Sequence, residues 1–135
     1  MILEVEGFSP LSNIAKVFSG YYPFLKIEFF DGPHDWHENS LKKNLLPVSK
    51  LVSEVTLLSS PVQIEVHFWN KTGTVEQMFK NKAGLNIQIF RKKNDKWIQT
   101  VGTDDLTLEE QNNIGRKDSE DNLHGTDRKF ETEIF

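Results

Sequence analysis

The sequence predicts an α+β domain, a ferredoxin-like sandwich built from two βαβ repeats with an extra strand and a C-terminal helix. Three observations carry that expectation. Residues 2–18 overlay residues 63–79 at a constant offset (64 − 3 = 61), so Leu3, Glu4, Val5 and Phe8 match Ile64, Glu65, Val66 and Trp69. Ile14, Val17 and Phe18 match Val75, Met78 and Phe79, and after one deleted residue Leu25, Ile27 and Phe30 match Leu85, Ile87 and Phe90. Within each copy, alternation of apolar residues gives way to helical spacing and then returns. Finally, 135 residues suit one domain with its own core, and 10 Phe are more than a disordered chain carries.

Each element has a local reason. Leu3 and Val5 alternate with Glu4 and Glu6 as in a half-buried strand. Ser9-Pro10 reads as an N-cap followed by Pro at the first helical position. Ile14, Val17 and Phe18 form an inner helical face, which Gly20 is expected to close. Leu25, Ile27 and Phe29 give the second strand. The connection 31–61 opens as a loop at Asp31-Gly32-Pro33, and Leu45, Val48, Leu51, Val52 and Val55 fit a short helix starting near Pro47. In the second copy, Ile64, Val66 and Phe68 give a strand, a helix starts at Thr72 or Thr74 and ends at Gly84, and Leu85, Ile87 and Ile89 give the next strand. Residues 91–96 form a hairpin turn into Trp97–Val101, and Thr107-Leu-Glu-Glu110 is a capping box opening a last helix that Gly115 closes.

In a ferredoxin-like arrangement the first and third strands are expected as a central, parallel pair with both helices on one face. A ubiquitin-like roll is the alternative, but it needs an opening hairpin where this chain has a helix signal. The expected organisation is a single domain over 1–117, with repeat halves 1–30 and 62–91 joined by linker 31–61, and an acidic C-terminal arm over 118–135.

Charge excludes some classes of function. Residues 1–102 hold 12 basic and 10 acidic side chains (net +2), while 103–135 hold 4 and 10 (net −6), giving −4 for the chain. That balance does not suit a general polyanion binder. The absence of Cys excludes disulfides and thiolate metal sites. Met1-Ile-Leu-Glu-Val-Glu6 does not resemble a signal peptide, and no apolar run approaches the roughly 20 residues of a membrane span. The cytoplasm is therefore the expected compartment, and neither membrane nor nucleic acid is expected as a partner.

Four places hold residues able to do chemistry or binding. Glu4, Glu6, Glu65 and His67 are expected on the open face of the sheet, where carboxylates and an imidazole suit a cation or general-base role. A solvated or covered patch is the competing explanation. His34, His37 and Glu38 have the types of metal ligands but sit in expected loop. Asp104, Asp105, Glu109 and Glu110 are explained by the dipole of the last helix. Lys129-Phe-Glu-Thr-Glu-Ile-Phe135 alternates like a strand, so Phe130, Ile134 and Phe135, with Trp97, are the expected interaction residues. No phosphate loop, nucleophile elbow or His-Glu-x-x-His pattern occurs, and no cofactor is expected.

Within residues 72–115, Thr74-Val75, Phe79, Gly84-Leu85, Gln88, Phe90-Arg91-Lys92, Trp97, Thr103-Asp104 and Thr107-Leu108-x-Glu110-Gln111-Asn112 resemble a small family of uncharacterised bacterial proteins. The family's pattern has Trp before the Thr-Leu pair where Leu106 stands here. The resemblance implies no activity, ligand or site. Taken together, the sequence leads to a non-enzymatic protein-binding or assembly module that self-associates into homo-oligomers. A small-molecule or metal-dependent enzyme using Glu4, Glu6, Glu65 and His67 is the alternative.

Overall fold

Alternation in Ile2–Val5 buries Leu3 and Val5 and exposes Ile2 and Glu4, giving strand β1 (Ile2–Val5) of the computed structural model, which describes residues 1–32 and 40–123. Helix α1 (Leu11–Tyr21) buries Leu11, Ile14 and Phe18. Its N-cap is Pro10 in extended conformation, one residue later than the Ser9-Pro10 reading, and it runs through Gly20 to Tyr21. Strand β2 (Leu25–Phe30) buries Leu25, Ile27, Phe29 and Phe30.

The link corrects one expectation. No α-helix starts near Pro47; two short 3-10 turns, Lys42–Asn44 and Val52–Glu54, stand in its place. The segment's backbone is committed to other elements. Leu46 N–H donates to Phe29 O (2.8 Å), Lys50 O accepts from Leu11 N–H (2.9 Å), and Val52 N–H donates to Ser9 O (2.9 Å). Of the five apolar residues that suggested the helix, only Val52 is fully buried.

Strand β3 (Val62–Glu65) leads to helix α2 (Thr72–Ala83), which Gly84 ends in the left-handed region (φ 67°), its N–H bonded to Lys80 O. Strand β4 (Asn86–Lys93) and strand β5 (Lys96–Gln99) form a hairpin about Asn94-Asp95, with Asn94 at φ 56°. Helix α3 (Leu108–Leu123) opens on the expected capping box: Thr107 N–H donates to Glu110 Oε1 (2.9 Å), and Glu110 N–H donates to Thr107 Oγ1 (3.1 Å). Gly115 does not end this helix. A Cβ there would lie 2.8 Å from Phe24 Cβ, so Gly115 is where the helix backbone presses on the strand layer. The helix therefore extends over 118–123, residues first assigned to the arm.

The chain is α+β, but its strands form two antiparallel sheets, β1-β3 and β2-β4-β5. The single sheet of the ferredoxin-like expectation is not formed, and β1 and β3 run antiparallel, not parallel. Two physical reasons are visible. Residues 44–46 lie along the end of β2, with Phe30 bridging Leu45, so that position is closed to β3. In addition, Leu3 pairs with Ile64 (3 + 61) and Glu28 with Gln88 (28 + 60). Equivalent positions face each other across both seams, as they do when like strands pair about a two-fold axis, and such strands can only run antiparallel.

One apolar core joins both sheets to the helices, with Phe18, Phe29 and Phe79 fully buried beside Leu3, Ile64 and Leu108. Among the described residues no helix is long and apolar enough to cross a membrane.

Candidate functional site

The β1–β3 ladder shows which backbone groups are available to a partner. Met1 and Val66 exchange both hydrogen bonds (3.1 and 2.8 Å). Antiparallel ladders alternate bonded and non-bonded pairs, so Leu3–Ile64 and Val5–Val62 are bonded pairs as well. Ile2 and Glu4 therefore turn their N–H and C=O groups away from β3, where they meet no backbone partner among the described residues. Alongside this edge lies an open groove of about 330 Å³, with Ile2, Leu3 and Glu4 on one side and Asn13, Ile14 and Val17 of α1 on the other. Ile2 and Val17 are exposed at its rim, and Phe8, just past β1, is 76% exposed. A free edge beside a partly apolar groove is the geometry for strand addition: the backbone supplies affinity and the groove takes alternate side chains.

The four residues of the expected carboxylate–imidazole site lie along this sheet but do not converge. Glu4 Oε1 accepts from Gln63 Nε2 (3.0 Å), and Glu65 Oε2 stands 3.8 Å from His67 Nε2. The His67 ring stacks on Trp69 at 4.3 Å, and Phe68 meets Trp69 edge-on at 4.9 Å. Glu6 lines the groove beside Glu4. No cluster of three or more His, Asp or Glu that could hold a metal occurs among the described residues. His34, His37 and Glu38 lie outside the described residues, as do Phe130, Ile134 and Phe135.

Trp97 lies on β5 between two cations. Lys26 Nζ is 5.1 Å and Lys92 Nζ 5.0 Å from its ring centre. Thr100 N–H donates to Ile89 O (3.2 Å), so the same alternation makes Arg91–Ile98 a bonded pair and turns the backbone groups of Trp97 and Gln99 out of the sheet. Among the described residues β5 is the last strand of its sheet.

The motif residues of the family resemblance form a buried polar clasp. Gln88 Nε2 and Ile89 N–H donate to Glu76 Oε2 (3.1 and 2.9 Å). Arg91 Nη1 donates to Gln111 Oε1 (2.6 Å), and Gln111 Nε2 donates to Thr103 O (2.8 Å). Phe24 N–H donates to Asn112 Oδ1 (3.0 Å). These bonds fix α2 to β4, and α3 with its approach segment to β4 and to the chain just before β2, which accounts for polar residue types at interior positions. Burial raises the Glu76 carboxyl well above the usual range; the hydrogen bond from Ile89 opposes this and the Asp104 charge adds to it. Burial lowers the Arg91 guanidinium. Sequence reasoning missed Glu76. The available signal was its place on the inner stripe of α2 with Thr72, Phe79 and Ala83, all buried at helical spacing.

No protein-family model matches the chain, and neither a curated protein nor a solved structure shows significant similarity to it. The functional reading therefore rests on the geometry above.

Proposed function

We propose that the chain is a non-enzymatic protein-binding and assembly module in which the β1 edge of one copy takes the β5 edge of another as an added strand. The observation that carries this reading is the free β1 edge beside its groove. Charge selects the occupant. Glu4 and Glu6 make the receiving side acidic, and Lys92, with Lys26 that is also paired to Glu28 at 3.1 Å, makes the surroundings of Trp97 basic. Residues 130–135 suit this groove less well, because Glu131 and Glu133 would add carboxylates beside Glu4 and Glu6. Trp97 supplies a large, rigid apolar side chain for the groove beside Val17. Such contacts are heterologous, one edge against a different one, and so build head-to-tail assemblies.

Sedimentation velocity over a range of concentrations and salt tests this. Association should weaken as salt rises. Glu4→Lys and Lys92→Glu should each weaken it by about tenfold, and mixing the two variants should restore association, because the unaltered β5 edge of the first fits the unaltered β1 edge of the second and the two altered edges are complementary as well. A chain that stays monomeric at all concentrations overturns the reading.

A further inference from the structure

We infer that β3 and α2 form a second strand-accepting edge, equivalent to the one made by β1 and α1, so that each chain receives two strands. This rests on the reading that the β1 edge accepts a strand. The two-fold relation of the seams extends into the segments that frame the edges. Ser9 N–H donates to Glu6 O (3.1 Å), and 61 residues on Asn70 N–H donates to His67 O (3.0 Å). Gly7 O and Ser9 O accept from Ser53 and Val52; Phe68 O and Asn70 O accept from Glu109 and Leu108. Leu51 N–H donates to the Glu54 carboxylate (2.8 Å), as Thr107 N–H does to that of Glu110 (2.9 Å). Val52 and Leu108, which follow those two positions, are both fully buried. The equivalence thus includes the segments that close each β–α connection from outside, which the sequence overlay did not reach.

Carried onto the edges, the relation places Gln63 and Glu65 where Ile2 and Glu4 stand, with backbone groups turned away from β1 and no backbone partner among the described residues. Val75 and Met78 of α2 take the places of Ile14 and Val17 beside the groove. Exposed aromatics stand at the equivalent ends, Phe8 at one edge and Trp69, 58% exposed, at the other. A solvent-facing aromatic at both positions is costly for the core and useful to a partner. Glu65 stands where Glu4 does, and His67, 3.8 Å from it, where Glu6 does, so the second edge keeps one of the two carboxylates for the same occupant, the basic strand of another copy.

The probe is a synthetic peptide of residues 91–101, which carries Arg91, Lys92, Lys93, Lys96 and Trp97. Calorimetric titration of the full chain should give two peptides per chain. Glu4→Pro and Gln63→Pro each remove an N–H that points out of the ladder, so the β1–β3 pairing survives, and each variant should bind one peptide. The double variant should bind none. Trp69→Ala, at an exposed side chain, should weaken one of the two sites by about tenfold and leave the other unchanged. One peptide per chain, lost in Glu4→Pro and untouched by Gln63→Pro and Trp69→Ala, overturns the second edge while the first stands. No binding at all overturns both.

Discussion

Glu76 shows how one residue sets the behaviour of the interior. Only 5% of its surface is exposed, and one carboxylate oxygen serves both Gln88 and the backbone of Ile89. Burial favours its neutral form and holds the folded-state carboxyl well above the usual carboxylate range. For a carboxyl raised on folding, the contribution to stability is complete below the unfolded-state pKa. It is lost as pH rises toward the folded value, because only the unfolded chain gives up its proton over that window. Denaturation midpoints should therefore fall as pH rises from about 4.5. Glu76→Gln, which keeps an acceptor but cannot ionise, should flatten that slope. A slope equal to the native one would assign the pH dependence to other groups. Glu76→Ala should cost more at any pH, about 1–3 kcal/mol for each buried donor left without a partner.

At the scale of elements, Gly115 is a position where added volume meets backbone. Besides Phe24 Cβ at 2.8 Å, a new Cβ would lie 3.2 Å from Phe24 O and 3.3 Å from Lys92 O, none of them the end of a flexible side chain. Gly115→Ala should destabilise by roughly 1–3 kcal/mol despite the higher helix propensity of Ala, and a stabilised variant in thermal unfolding would contradict the contact. Gly115 also shows what could be read from sequence and what could not. The element types followed from local signals: alternation in 2–5, the inner stripe of Leu11, Ile14 and Phe18, the box at Thr107 and Glu110. A glycine that ends a helix and one that lets a helix approach a strand look the same in sequence, because only the neighbour across the gap distinguishes them. The strand order was hidden for the same reason. It depends on residues 44–46 closing the end of β2, a contact between segments whose own patterns suggest a helix nearby. Of the candidate site, the sequence showed the acidic edge residues Glu4, Glu6 and Glu65 and the half-buried Trp97. It grouped the first three for chemistry, since side-chain type does not reveal which backbone groups are free.

For the whole molecule, the arrangement of the seams decides how the halves depend on each other. β1 pairs with β3 and β2 with β4, so two of the three strand pairings, β4–β5 aside, cross between residues 2–30 and 62–93. Residues 50–53 bond to the segment before α1, and 106–109 to the segment before α2, so each half also closes its own helix start. Each half thus has local order but leaves a sheet edge and an apolar face exposed when alone, and burying them requires the other half. The connection at Val55–Pro61 includes Leu57, 96% exposed, so a break there removes little packing. Fragments 1–57 and 58–135 should each show little fixed tertiary structure alone in near-ultraviolet circular dichroism. On mixing they should form a 1:1 complex with the spectrum of the intact chain. Either fragment folding alone would show that the seams do not hold the molecule together. Failure to combine would show that the covalent link contributes more than closure of a loop at roughly (3/2)RT ln n. The same seams bear on assembly. Because the inner edges of β1 and β3 satisfy each other, the places among the described residues where a molecule that closes on itself along its centre can add a strand are the outer edges of β1 and β3, the β5 edge, and the part of β2 that residues 44–46 leave uncovered.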